Sequence, residues 1–206
     1  MKELSSVLRH LNLSNNKFRV LPPLISNFSN LKSLKVDKNC LVCLPDEIGH
    51  LQKLENLSAA SNQISEVPST VFMLINLKEI DLSDNQISTF PELLCELKHL
   101  SILNLSKNRI REIPSSVGKA NVTEFNLSDN HISVISSEIA MMPKLKILTL
   151  EGNQLSLKAI PKELLTKSKV TSLNVSNNLF TMKDFECLEG YDTYMERYTE
   201  TKKKMF

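Results

Sequence analysis

Apolar and polar positions along this chain follow one phrase that recurs eight times. Positions 1, 4, 6 and 11 are apolar, most often Leu, and position 9 is Asn. The second copy runs through Leu31, Leu34, Val36, Asn39 and Leu41, and the fourth through Leu77, Ile80, Leu82, Asn85 and Ile87. The Asn falls at Asn16, Asn39, Asn62, Asn85, Asn108, Asn130, Asn153 and Asn178, at intervals of 23, 23, 23, 23, 22, 23 and 25 residues. Apolar positions 4 and 6 have the period of two that marks a strand with one buried face. Positions 1 and 11 fill the core from the turns on either side. The Asn amide both donates and accepts, so at the bend after the strand it can bond the backbone groups left unpaired there. A Pro follows the Asn by six residues at Pro22, Pro45, Pro68, Pro91 and Pro114; Ser136 takes that place in the sixth copy, and Pro161 comes two residues late in the seventh. After Pro45, Asp46 and Glu47 lie among Leu44, Ile48, Leu51 and Leu54. Pro and acids in a first turn are helix-start signals, so each unit closes with a short helical turn on the side away from the strand. One such unit cannot bury its own apolar face, whereas stacked neighbours can. The pattern predicts an α/β solenoid of parallel strands backed by helical or irregular turns.

Three segments follow. Residues 1–7 are a lead-in too short to form a full cap over the first unit, and residues 8–181 hold the eight repeats. From Met182 the phrase stops, and Phe185, Leu188, Tyr191, Tyr194, Met195 and Tyr198 recur at helical spacing. Residues 182–206 therefore read as one amphipathic helix capping the last repeat, followed by the basic tail Lys202, Lys203 and Lys204.

Phrase and period together resemble the leucine-rich repeat over residues 8 to 181. That resemblance implies a horseshoe with a concave parallel sheet and a ladder of the eight Asn residues along it. Leu44-Pro45-Asp46-Glu47-Ile48 and its counterparts resemble the class of these repeats found in small-GTPase and phosphatase scaffolds. The segments Pro143 to Leu148 and Leu188 to Thr199 resemble one group of animal members, whose longer forms begin Met-Gly as myristoylated proteins do. Here the second residue is Lys2, where a myristoylated chain needs Gly. The group brings no activity that could be carried over residue by residue.

Composition narrows the function classes. Leu (33) and Asn (19) are in surplus because the phrase uses them, whereas Gly numbers 4 and Trp is absent. With 25 basic and 23 acidic side chains the net charge of +2 gives no reason to expect nucleic acid. No apolar run is long enough to cross a membrane, and Met1 to Ser6 has no signal-peptide core. Three tail lysines are a weak membrane contact without a lipid chain.

Candidate chemistry is sparse. Cys40 and Cys43 form a Cys-x-x-Cys without a second ligand pair, and Cys95 and Cys187 are isolated. Packing as buried thiols is the expectation, in a reducing and cytoplasmic setting. His10, His50, His99 and His131 are scattered, and four Gly make a phosphate-cradling loop implausible. The expectation is no catalytic residue, no metal and no cofactor. Glycosylation sequons occur at Asn12, Asn27, Asn56, Asn104, Asn121, Asn126 and Asn174. Most fall on strand positions 3 and 5 and read as by-products of the phrase.

That leaves binding. Positions 3 and 5 should point from the concave sheet to solvent, and most are small and polar. The departures are Ile102 and Ile147, expected to be exposed, with Glu79, Asp81, Asp84, Glu124 and Asp129 around them and Lys35 and Lys38 nearer the N-terminal end. The candidate partner-binding residues are Glu79, Asp81, Ile102, Asn104, Glu124, Asn126, Ile147 and Thr149. Strands of five residues would give a face of about 600 Å2, room for one protein partner. The face has no Trp, Tyr or Arg to act as an anchor, so modest affinity is expected. The sequence thus points to a monomeric intracellular scaffold or adaptor that binds an unidentified protein partner on its concave face. The alternatives are a peripheral membrane-associated signalling protein and a regulatory subunit in a phosphatase or small-GTPase pathway.

Overall fold

The computed structural model describes residues 7–203. Most of the lead-in at 1–7, including Lys2, lies outside the described residues, as do Lys204 and Phe206.

Eight short parallel strands form one sheet in strict chain order: His10–Asn12, Ser33–Lys35, Asn56–Ser58, Glu79–Asp81, Ile102–Asn104, Glu124–Asn126, Ile147–Thr149 and Ser172–Asn174. Each covers phrase positions 3 to 5, three residues rather than the five expected. Register keeps like with like, so Glu79 pairs with Ile102, Ile102 with Glu124, and Glu124 with Ile147. Ladder bonds between repeats continue past these strands, from the Val36 N–H to the Ser58 carbonyl and from the Lys38 N–H to that of Ala60 (both 2.8 Å), until position 8 turns the chain. Asn15, Lys38, Ser61, Asp84, Lys107, Asp129, Gly152 and Asn177 all hold that position, and all have φ between 51° and 67°. The sequence reading placed the bend at the Asn of position 9; the left-handed residue is the one before it, and only Gly152 among the eight is a glycine.

The ladder then closes the turn. Asn62 Nδ2 donates to the carbonyls of Val36 (3.0 Å), Ala59 (3.1 Å) and Ala60 (3.2 Å), while its Oδ1 accepts the Leu41 N–H at 3.0 Å. Both ends of the amide therefore stitch a repeat to the one before it. Asn39, Asn85, Asn108, Asn130, Asn153 and Asn178 repeat the pattern. Asn16 differs: it is exposed and donates to Leu13 and Ser14 of its own repeat. At the same end Phe18, in a position that is core elsewhere, is 39% exposed.

Behind the sheet, five-residue 3-10 turns begin after Pro22, Pro45, Pro68, Pro91 and Pro114. Where Ser136 stands in place of Pro, its hydroxyl accepts the Glu138 N–H at 3.3 Å. The longer seventh repeat carries a 3-10 turn at Leu157–Ala159 and an α-helix at Lys162–Thr166. A second, two-stranded sheet joins Glu112–Ile113 to Val134–Ile135. Leu, Ile and Val of the phrase form one continuous core between the sheet and these turns.

The C-terminal segment is two helices, Met182–Glu186 and Tyr191–Lys203, where the spacing suggested one. Gly190 breaks it at φ 93°, and a Cβ there would stand 2.5 Å from Thr166 Cγ2. The first helix opens with a capping box between Thr181 and Asp184, whose carboxyl these bonds hold below the usual carboxylate range. Phe185 and Tyr194 pack into the core, and Tyr194 Oη accepts the Leu173 N–H at 3.0 Å.

Candidate functional site

Parallel register places the position-3 side chains in one row across the sheet, with neighbouring strands about 4.8 Å apart. Glu79, Ile102, Glu124 and Ile147 thus alternate acid and aliphatic side by side. Ile147 is 39% exposed, whereas Ile102, expected to be exposed, is half-buried between its two glutamates. A hollow of about 250 Å3 lies beside this row over the earlier strands, lined by Ser33, Asn56, Glu79, Lys35, Ser58 and Asp81. Lys35 stands on one side of it and the two acids on the other. Asp84 and Asp129 hold left-handed turn positions beyond the strand ends.

Position 5 is less free than expected. Asp81 Oδ1 accepts the Ser83 N–H at 2.9 Å, and Asn104 Oδ1 accepts both the N–H (3.1 Å) and the hydroxyl (2.8 Å) of Ser106. Asn126 does the same with Ser128, and Asn174 with Ser176. These are Asx turns that cap the bend after the strand. They give the recurrent Asn-x-Ser sequon a structural reason: the Asn caps and the Ser two residues later is capped.

Thr149 does not cap. Its repeat instead uses Glu151, which accepts from Asn174 Nδ2 at 2.9 Å and Asn177 Nδ2 at 3.0 Å. Asp37 plays a similar inter-repeat part, accepting the Ala60 N–H at 2.9 Å. The sequence reading missed both residues; the signal was an acid at position 7 in a repeat lacking Asn or Asp at position 5.

With the inter-repeat ladder bonds continuing to position 8, the sheet surface is on the order of 600 Å2, still short of the about 800 Å2 per partner in a standard interface. A partner of ordinary size must therefore touch the rims as well. On the rim where the chain enters the strands, Glu55 lies 2.6 Å from both Lys32 Nζ and Lys78 Nζ. Bonds to these two ammonium groups hold its carboxyl down at about 2.

The thiols depart from the expected buried packing. Cys43 and Cys187 are exposed and Cys40 is half-buried. Cys95 alone is buried, and burial, followed by the nearby Glu92 and Glu96, pushes its thiol up to about 12. All four His are exposed. Among the described residues no group of three or more His, Cys, Asp or Glu is placed to hold a metal ion. No helix among them is long and apolar enough to cross a membrane.

The leucine-rich-repeat family model matches residues 6–64, 52–110 and 98–155. Among solved structures, the chain is similar to a leucine-rich-repeat protein of Leptospira interrogans, with 34% identity and TM-score 0.81 over 92% of this chain and 48% of that one. An internalin of Listeria monocytogenes shares the fold at 23% identity and TM-score 0.76, over 92% of this chain and 55% of that one. A plant peptide hormone receptor, RGFR1 in complex with RGF2, matches at 28% identity and TM-score 0.71, over 91% of this chain and 32% of that one. The chain thus spans about half or less of the length of these structures.

Proposed function

The chain belongs to the leucine-rich-repeat family, a family of general protein-interaction modules, and from that premise we propose that it is a non-catalytic scaffold or adaptor that takes a protein partner on its concave sheet. The observation that carries this reading is the row of Glu79, Ile102, Glu124 and Ile147, which alternates acid and aliphatic across four adjacent strands. A basic segment of a partner, with aliphatic side chains between its cations, is the chemistry that fits. Asp81, Asn104, Asn126 and Thr149 flank that row on position 5, where the Asx turns hold the first three in fixed orientation. The peptide-bound plant receptor among the similar structures supports a segment as ligand. An intracellular, cytoplasmic setting fits the free thiols. A finer placement goes with this proposal, since Leu188 to Thr199 resembles animal leucine-rich repeat-containing protein 57.

Proximity labelling in cells, followed by quantitative mass spectrometry, tests the reading. Glu79→Lys with Glu124→Lys should deplete the partner set of the wild-type chain, and an unchanged set would remove the concave face from consideration.

A further inference from the structure

The rim where each repeat enters its strand carries charge of nearly one sign. Phrase position 2 holds Arg9, Lys32, Lys78 and Lys146. The residues one or two before the start of a repeat add Lys53, Lys98, Lys144 and Lys169. Glu55 is the one acid at these places, so eight cations meet one carboxylate, a net of +7 against +2 for the whole chain. Glu55 is already shared by Lys32 and Lys78. The partners of Lys53 and Lys169 are neutral oxygens, of Asn30 and Pro143, so their charge is uncompensated. All these cations except Lys32 are exposed.

Three further observations say what fits there. Horseshoe curvature turns about an axis parallel to the strands, so the strand starts lie close to one plane even as the concave face curves. A flat partner can meet them together. The cations are nearly all Lys, point charges without the planar fork that reads a discrete phosphate or carboxylate, and these positions hold no Phe, Tyr or Trp on which a base could stack, the one aromatic ring among them being the His99 imidazole. Ile75, 58% exposed, projects from this same rim between Lys53 and Lys98.

The C-terminal helix adds to the rim. Its Tyr194 meets Leu173 and, three residues on, Arg197 Nε donates to the carbonyl of Val170, which precedes that strand. The helix therefore runs toward the strand starts and carries Lys202 and Lys203, with Glu200 beside them, to that side.

We infer that this rim docks on an anionic lipid bilayer, with the lysines against the headgroups and Ile75 at the interface. The concave face is left open, so the docking is independent of the protein partner proposed above. Each lysine near such a surface is worth about a fivefold gain in partitioning.

Co-sedimentation with phosphatidylcholine vesicles, with and without about 30% phosphatidylserine, tests this. The wild-type chain should sediment only with the anionic vesicles and be released by added salt. Changing Lys53, Lys98, Lys144 and Lys169 together to Gln should lower partitioning on the order of several hundredfold. Those side chains are exposed, and an unchanged melting temperature would establish that the variant is folded. Glu79→Lys with Glu124→Lys should not weaken vesicle binding, which separates the two surfaces. Equal sedimentation of wild type and the Gln variant would overturn the inference. So would retention by double-stranded RNA or polyglutamate without vesicle binding, which would assign the rim to a polyanionic chain.

Discussion

The Asp37 carboxylate reaches across one repeat to accept the Ala60 N–H at 2.9 Å. Where position 5 is Asn or Asp, that residue caps its own turn, as Asn104 does for Ser106. Ala60's repeat has Ser58 at position 5, and the capping oxygen comes from the neighbouring repeat instead. The same carboxylate also accepts from the hydroxyls of Ser58 (2.5 Å) and Ser14 (3.3 Å), so it ties three repeats together. Asp37→Ala should cost about 2 kcal/mol in a urea melt. Adding Ser58→Asn should recover much of that loss by capping Ala60 locally. A double variant no more stable than the single one would refute this exchange of roles.

The Asn ladder should show a gradient from interior to end. Asn108 Oδ1 accepts the Ile87 N–H at 3.0 Å, and its Nδ2 donates to Leu82, Leu105 and Ser106 at 2.9 to 3.1 Å. Asn108→Ala strands buried backbone groups of two repeats and should cost about 3 kcal/mol. Asn16→Ala loses only exposed bonds inside its own repeat and should cost less than about 1 kcal/mol. Equal losses at the two sites would mean that inter-repeat stitching is not what the ladder contributes.

Position 8 offers a stability gain. Lys107 holds φ 54°, a region that penalises a Cβ by about 1 kcal/mol or more. Lys107→Gly relieves that strain but adds unfolded-state entropy, so the expected gain is a few tenths to about 1 kcal/mol. At Gly152 the sign reverses, because a Cβ there would lie 2.4 Å from Asp129 Oδ1. Gly152→Ala should be clearly destabilising, and its melting temperature, set beside that of Lys107→Gly, checks both signs.

Much of this architecture was legible in the phrase, and the reason is physical. Register and burial follow from one apolar period repeated at a fixed interval, which is why the alternation of Glu79, Ile102, Glu124 and Ile147 could be laid out before any coordinate was known. The capping chemistry was harder to see, because an Asn at position 5 looks like an open surface amide until the bend brings the Ser106 N–H back to it. Ile102 was misjudged for a related reason: alternation along a strand gives a face, while burial on that face depends on the length of the flanking Glu79 and Glu124 side chains. The helix break at Gly190 was hidden because the apolar spacing continues through it. The basic rim was missed because its lysines, Lys144 and Lys146 apart, lie 20 or more residues from one another in sequence, and only stacking brings them to one edge.

The thiols should sort by exposure. Cys95 is buried and its thiol is pushed from 9.0 to about 12, so its reactive thiolate is scarce at neutral pH. Cys43 and Cys187 are exposed and should react with iodoacetamide within the native state, with Cys40 slower and Cys95 last. A raised folded value means that the protection is complete below pH 9.0, where the unfolded thiol is still protonated. It should fade as pH climbs from 9.0 toward 12. Peptide mapping after timed labelling gives the order, and early labelling of Cys95 would show that the core opens locally at the fourth repeat.

The last strand tests what the C-terminal helix does for the fold. Among the described residues Ser172–Asn174 is a sheet edge, with backbone groups that no further strand pairs. The helix supplies side chains instead: Tyr194 Oη takes the Leu173 N–H at 3.0 Å, and Arg197 gives N–H groups to the carbonyls of Val170 (3.2 Å) and Leu165 (2.7 Å). Tyr194→Phe keeps the ring in the core and removes only the oxygen, which should cost about 1 kcal/mol. Arg197→Ala removes a charged donor from two carbonyls and should cost about 2 kcal/mol. Amide hydrogen exchange separates edge protection from general destabilisation. In Tyr194→Phe the Leu173 amide should exchange much faster while Leu148, one strand inward, keeps its rate relative to the rest of the core. If both amides accelerate together, the hydroxyl is not guarding the edge, and the helix contributes through its buried apolar face alone.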